Sequence, residues 1–302
     1  MKILVTGGAG YLGLNFCQFL LNKKVKVKVA DILNYKNDNL SEFIKKKNFQ
    51  FSNIDVRNFK KTQEFSKDCD AVVHFAGIVG YPACNKNPKE AKSTNILGSK
   101  NISLIFKNRP KIYSNTSTIY GNIDSGFCNE ETKPNPLTIY SKTKFKGEKH
   151  FLDNNGVSLR LSTVFGLSNT MRHDLLIHDF IKQCIKFKKI TIYQKSFLRS
   201  FLHVEDVSGF IYHLLLKNKA SNTNIFNLGD QRFSFSKEDL VKKLKQKIKF
   251  KSIFKEIATD LDFRNYEIDF NKVKKTNYKF KANFDKSLDE LIDYYTIYKD
   301  IN

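Results

Sequence analysis

Tyr140 and Lys144 stand four positions apart in Tyr140-Ser141-Lys142-Thr143-Lys144. On a helix, that spacing brings a phenol and an ammonium onto one face. A free phenol, with a pKa of about 10, is a poor base at neutral pH. A cation beside it stabilises the phenolate and draws that value down. The pair can then take the proton of an alcohol while the carbinol hydride passes to a cofactor. A hydroxyl to hold the reacting oxygen is offered upstream by Ser114-Asn115-Thr116-Ser117-Thr118. Thr116 is the first candidate there, with Ser114 and Ser117 as alternatives. In a chain with 13 tyrosines and abundant lysine the pair alone also fits an ordinary helix surface. Its weight comes from the company it keeps.

A hydride acceptor needs a berth, and the N-terminus offers one. Gly7-Gly8-Ala9-Gly10-Tyr11-Leu12-Gly13 is G-x-x-G-x-x-G between an apolar run and a helical pattern. Such glycines permit a tight turn and close approach of backbone to a pyrophosphate, which also meets the N–H groups of the helix start. Asp31 follows 18 residues after Gly13. A carboxylate there accepts from the adenosine ribose hydroxyls and repels a 2′-phosphate, so NAD is expected over NADP. Asp55-Val56 would lie near the adenine, and His74-Phe75-Ala76-Gly77 closes a strand with small residues where backbone nears the cofactor. His74 itself is expected to be a packed strand residue rather than a catalyst.

These groups must be held by alternating strands and helices. Residues 2–6, 25–30, 49–54, 71–76, 112–115 and 157–161 read as buried strands, and 13–21, 88–107 and 138–154 as helices. That rhythm predicts an α/β fold with a doubly wound, parallel, Rossmann-type sheet. After residue 166 it loosens: 175–187, 204–216, 237–248 and 287–298 read as helices, with short strands at 190–193 and 225–228. The expected division is a NAD-binding domain with the catalytic residues at 1–166. A smaller lobe at 167–302 packs on it and mainly serves the substrate.

Composition narrows the partners. The net charge of +22 invites a nucleic acid, yet only seven of 52 basic residues are arginine. Base readout and bidentate phosphate recognition favour arginine, so solvated lysine faces and no nucleic-acid partner are expected. The five cysteines are scattered without a CxxC pair, which argues against a disulfide framework and a metal site. No apolar run is long enough to span a bilayer, and the first residues run straight into the glycine turn. A cytoplasmic enzyme without a membrane partner is the expectation.

Taken together, these motifs resemble the extended short-chain dehydrogenase family, in particular its nucleotide-sugar epimerases, dehydratases and 4-dehydrogenases. The resemblance runs through Thr6 to Gly13, Asp31, Asp55-Val56, Asn95-x-x-Gly98, Thr116 to Gly121, Tyr140/Lys144, Phe165-Gly166, the segment Arg199-Ser200-Phe201-Leu202-His203 and Phe226-Asn227-Leu228-Gly229. It implies that Thr116, Tyr140 and Lys144 are catalytic. It implies NAD against Gly7, Gly10, Tyr11, Leu12, Gly13, Asp31, Ile32, Asp55, Val56, Phe75, Ala76, Gly77, Asn95, Ser114, Tyr140 and Lys144. Val79, Thr116 and Thr163 would line the sugar site, and Arg172, Arg199 and Arg264 would grip the nucleotide diphosphate. It also implies a homodimer.

Departures from the family patterns sharpen this. The 4,6-dehydratases carry an Asp-Glu pair directly after the catalytic Thr, where this chain has Ser117 and Thr118. Hydroxyls cannot do that general acid–base work at ordinary pKa, so dehydration is not expected. The 3,5-epimerase-reductases place a cysteine at Thr118 and prefer NADP. Many UDP-galactose 4-epimerases have an asparagine at Thr163. The stretches 77–84 and 161–166 resemble a branch that includes a GDP-heptose 4-dehydrogenase, with Cys84 either a buried loop residue or part of the sugar pocket. The expected substrate is a nucleotide-diphosphate sugar oxidised at C4, GDP-heptose-like, with epimerase and dehydrogenase outcomes both open. The rival is a catalytically idle NAD-binding regulator on the same fold.

Overall fold

The computed structural model describes residues 1–34, 40–123, 126–217, 224–256 and 266–299. Seven parallel strands make its main sheet. β1 (Lys2–Thr6), β2 (Lys26–Asp31), β3 (Phe49–Asn53), β4 (Ala71–His74) and β5 (Lys111–Thr116) are joined by Val157–Leu161 and Asn224–Leu228. From one edge the order is Asn224–Leu228, Val157–Leu161, β5, β4, β1, β2, β3. All of β5 and nearly all of β1 are buried, as befits a sheet covered on both faces. The chain winds from β1 to β2 and β3 on one side, then returns to β4 and β5 on the other. This reversal opens a crevice at the carboxyl ends of the strands. The glycine turn, Asp31, Phe75 and Thr116 all sit at those ends.

The helix expected over 88–107 is not one regular helix. Pro88–Lys92 and Ser99–Ile105 are α-helical, but Ser93–Gly98 between them is π-helical. A π turn inserts an extra residue into the hydrogen-bond ladder and often marks a functional position. Here it contains Asn95, whose side chain is drawn inward. The helix expected over 138–154 is Ile139–Leu152, and its start is firmly set. The Thr138 hydroxyl accepts from the Ser141 N–H (3.1 Å), while the Ser141 hydroxyl accepts from the Thr138 N–H (3.0 Å). This reciprocal cap fixes Tyr140 in the first turn and Lys144 one turn on.

A cut at residue 166 does not separate two bodies. The helix Val204–Leu216 packs its Phe210 and Leu214 into the same core as Leu14 and Leu20 of the helix Tyr11–Asn22, and Asn224–Leu228 extends the large sheet. The smaller lobe is built from the helices Leu176–Phe187, Lys237–Lys245 and Phe284–Ile297 around Phe165, Phe201, Phe233 and Leu288. Three strands support it: Thr163–Phe165 runs parallel to Leu198–His203, which pairs antiparallel with Ser234–Ser236. Strands this short carry too few side-chain alternations to be read from sequence.

Candidate active site

The carboxyl ends of the strands and the small lobe enclose one cleft of about 830 Å³. Its wall includes Gly7, Gly10, Tyr11, Leu12, Gly13, Asp31, Ile32, Asp55, Val56, Phe75, Ala76, Gly77 and Ser114. The glycine turn fits a dinucleotide for a specific reason. Gly7 has φ 71°, and a Cβ there would lie 2.5 Å from the Ala76 nitrogen; a Cβ on Gly13 would collide with the Gly7 carbonyl oxygen. Those two glycines serve the fold. Gly10 does not: its Cβ would meet only the Gly7 oxygen, at 3.4 Å. The space that Gly10 leaves open faces the cleft at the N-cap of the helix, where pyrophosphate would approach. The Asp31 carboxylate is held by N–H groups of Ala9 (2.9 Å) and Leu33 (2.8 Å).

Thr116, Tyr140 and Lys144 line the same cleft. The Thr118 N–H donates to Thr116 Oγ1 (3.2 Å), and the two hydroxyl oxygens lie 3.1 Å apart. With one lone pair so engaged, Thr116 keeps a proton to give. Lys144 is buried, its Nζ 4.1 Å from the centre of the Tyr113 ring. Burial lowers its pKa from the usual lysine range to about 7, against smaller opposing effects of Cys84 and Glu148. The Tyr113 hydroxyl donates to the Lys144 carbonyl (3.2 Å), tying this helix to β5. Glu148, one further turn along, accepts from Asn115 (2.7 Å), Ser158 (2.6 Å) and Arg160 (2.9 and 3.1 Å). The Asn115–Glu148 bond thus ties the strand that carries Thr116 to the helix that carries Tyr140, and the buried Arg160–Glu148 ion pair ties that helix to the neighbouring strand Val157–Leu161.

Val79, Thr163, Arg172 and Arg199 line the cleft on the lobe side. Arg172 is clasped by Asp174, Nε and Nη2 each 2.6 Å from a carboxylate oxygen. Arg199 is 5% exposed and donates to the Leu198 carbonyl (2.8 Å). Arg264 lies outside the described residues. Asn95 does not line the cleft: its Oδ1 accepts from the Ile78 N–H (2.8 Å), and its Nδ2 donates to the Ile78 carbonyl (2.9 Å) and Thr143 Oγ1 (3.0 Å). It pins the loop after β4 to the helix of Tyr140 and Lys144. Cys84 is buried off the cleft with its thiol on the Ile78 carbonyl (3.2 Å), and His74 is a packed residue between Thr6 and Ser99.

Residues 3–229 match the model of the NAD dependent epimerase/dehydratase family. The chain belongs to that family. It is 31% identical over 264 residues to a UDP-glucuronate 4-epimerase of Thermodesulfobacterium geofontis, covering 81% of this chain and 80% of that one. It is 27% identical over 269 residues to a dTDP-D-glucose 4,6-dehydratase of Dictyostelium discoideum, covering 80% and 61%. Among solved structures it resembles the UDP-glucuronic acid 4-epimerase of Bacillus cereus, in complex with UDP-glucuronic acid and NAD. There the TM-score is 0.84 at 26% identity, with 97% and 98% of the chains covered.

The protein is therefore an NAD-dependent enzyme of the epimerase/dehydratase family, with an α/β Rossmann-type fold. Among the described residues no helix is long and apolar enough to cross a membrane. Several residues in and next to the cleft escaped the sequence. Arg57 pairs with Asp55 through Nε (2.9 and 3.0 Å) and holds that carboxyl below its usual pKa; Ser93 receives another of its N–H groups (3.0 Å). The D-x-R spacing was the available signal. Glu90, Thr118 and Thr170 line the cleft itself. Because Arg57 is paired and Asp31 presents a carboxylate, NAD is expected to bind more tightly than NADP. Calorimetric titration with both cofactors measures this, and tighter NADP binding would overturn the role given to Asp31.

Proposed function

We propose that the enzyme oxidises C4 of a nucleotide-diphosphate sugar and restores the hydroxyl on the opposite face, a 4-epimerase whose first half-reaction is that of a 4-dehydrogenase. The observation that carries this is one cleft lined by the glycine turn, by Thr116, Tyr140 and Lys144, and by Arg172 and Arg199. NAD accepts the C4 hydride and gives it back. Tyr140 takes the hydroxyl proton, Lys144 lends positive charge to the resulting phenolate, and the Thr116 hydroxyl holds the reacting oxygen. Arg172 and Arg199 bind the diphosphate. Against dehydration, the segment after Thr116 offers the cleft the Thr118 hydroxyl and no carboxylate, while Ser117 is buried off the cleft. The working assembly is proposed to be a homodimer.

A GDP-heptose-like sugar is proposed because the segment 77–84 resembles that branch and its residues 77–83 line the cleft. UDP-glucuronate is the second candidate, favoured by the 31% identical relative. The test is incubation with GDP-, UDP- and CDP-sugars, including both candidates, with NMR of the products. C4-inverted sugar supports the proposal. Keto sugar with one NADH formed per turnover would make the enzyme a dehydrogenase. No turnover of any sugar, with NAD bound, would favour the regulator. Arg199→Ala is expected to weaken nucleotide-sugar binding about ten- to hundredfold, the worth of a charged hydrogen bond. NAD binding should hardly change. Equal losses for both ligands would show that Arg199 serves only the fold.

A further inference from the structure

We propose that His178 is a positioning residue for the nucleotide-sugar grip, acting through a strap of residues 166–174 that ties this grip to the glycine turn. The proposal rests on the assignment of Arg172 to the substrate diphosphate and deepens it.

His178 is buried in the first turn of Leu176–Phe187. Its Nε2 lies 3.2 Å from the Gly166 N–H and its Nδ1 lies 2.9 Å from the Arg172 carbonyl. A backbone N–H can only donate and a carbonyl can only accept. One neutral tautomer satisfies both, with the proton on Nδ1 and the lone pair on Nε2. The ring is boxed by Tyr11 (5.9 Å, edge-on) and Tyr295 (6.3 Å), and the charged or titratable groups facing it are Arg172, His173 and Asp174. Burial lowers its pKa to about 4 and keeps it neutral at physiological pH, opposed by the bond to the Arg172 carbonyl and by Asp174 and helped by the charges of His173 and Arg172.

The ring thus grips both ends of the strap. Between them the strap is stitched to the glycine turn three times. The Tyr11 hydroxyl donates to the Gly166 carbonyl (2.8 Å), Ser168 Oγ to the Tyr11 carbonyl (3.0 Å) and Thr170 Oγ1 to the Ala9 carbonyl (2.8 Å). The Ala9 N–H is the group that holds Asp31 (2.9 Å). Asp31, Ala9, Thr170 and Arg172 therefore form a continuous path from the adenosine anchor to the arginine facing the substrate. Fixing the Arg172 backbone before substrate arrives removes an ordering cost from binding. Without His178 the guanidinium still exists, but its aim must be set anew in each binding event.

The test uses the NAD-loaded enzyme and calorimetric binding of UDP and GDP as probes, with steady-state kinetics alongside. His178→Phe is expected to weaken nucleoside diphosphate binding about tenfold, the worth of a lost hydrogen bond to an arginine's backbone plus its disorder. KM rises with it, and kcat at saturation stays within about twofold. His178→Asn keeps an N–H near Nδ1 and is expected to recover most of the affinity. Equal losses in folded Phe and Asn variants, or a fall in kcat with KM unchanged, would overturn the proposal. If the Phe variant does not fold, Thr170→Val cuts the strap from Ala9 and leaves the imidazole in place. It should speed loss of NAD on dialysis and weaken UDP or GDP together; no change in either overturns the strap. Parent enzyme that binds neither UDP nor GDP would instead refute the diphosphate assignment, and the role of His178 with it.

Discussion

Tyr140→Phe is expected to lower turnover by about 10²–10⁴-fold, the usual cost of losing a general base, while the protein stays folded and loaded with NAD. Phenylalanine keeps the ring, and Tyr140 is half-buried at the start of a helix whose cap, Thr138 with Ser141, does not involve the phenol. The cofactor berth is built elsewhere, from the glycine turn and Asp31. The loss should therefore appear in kcat and kcat/KM together, because proton removal belongs to the transition state rather than to substrate binding. Single-turnover reduction of bound NAD, followed by absorbance, isolates the step. Near-normal reduction in the variant would send the search for the base elsewhere in the cleft. Of the other hydroxyls, Thr116 and Thr118 lie within reach of each other, but neither ionises at ordinary pH.

What could be read from the sequence divides by distance along the chain. The glycine turn, Asp31 and the Tyr140/Lys144 spacing are local patterns, each legible because one turn or one helix face sets its geometry. The parallel sheet was legible for the same reason, since β1 and β4 are mainly apolar runs and valine recurs at alternate positions in β2. Asn227 and its strand were not so easily placed. An apolar run at 225–228 suits either sheet, and only contact with Val157–Leu161 assigns it to the large one. The same limit hid the work of Asn95, which depends on partners at Ile78 and Thr143. It also hid the strap, whose bond from Thr170 to Ala9 crosses 161 residues of chain.

Net charge misleads in the same way when read without position. Six of the seven arginines are described, and each has fixed partners: Arg57 has Asp55, Arg109 the carbonyls of Ser66 and Cys69, Arg160 Glu148, Arg172 Asp174, Arg199 the Leu198 carbonyl and Arg232 Asp230. Arginine in this chain is a builder of fixed sites, and the excess charge belongs to lysine. This makes the cleft arginines, Arg172 and Arg199, stand out more than a composition of 52 basic residues suggests.

Lys144→Met should separate the chemistry of this lysine from its effect on stability. Methionine keeps a similar length and an apolar stem but loses the ammonium, its charge and its N–H donors. Turnover should fall by about 10²-fold or more, since no cation then stabilises the phenolate. Stability should move the other way, with a definite pH dependence. Burial lowers Lys144 to about 7 in the folded enzyme, against about 10.4 in an unfolded chain. Between those values the unfolded state holds a proton that the folded state has shed, so the lysine's contribution improves as pH rises. Below about pH 7 the folded enzyme must keep a charge in the cleft wall, and that unfavourable contribution is fully present. The methionine variant should therefore melt above the parent enzyme at pH 6, and its advantage should shrink steadily toward pH 10. Thermal melts of both proteins, without substrate, across that range measure it. A constant offset would show that the ammonium is not desolvated as its position implies, and the pairing with Tyr140 would then need a different electrostatic basis. A shrinking offset together with lost turnover would identify Lys144 as a group the fold tolerates for the sake of the phenol beside it.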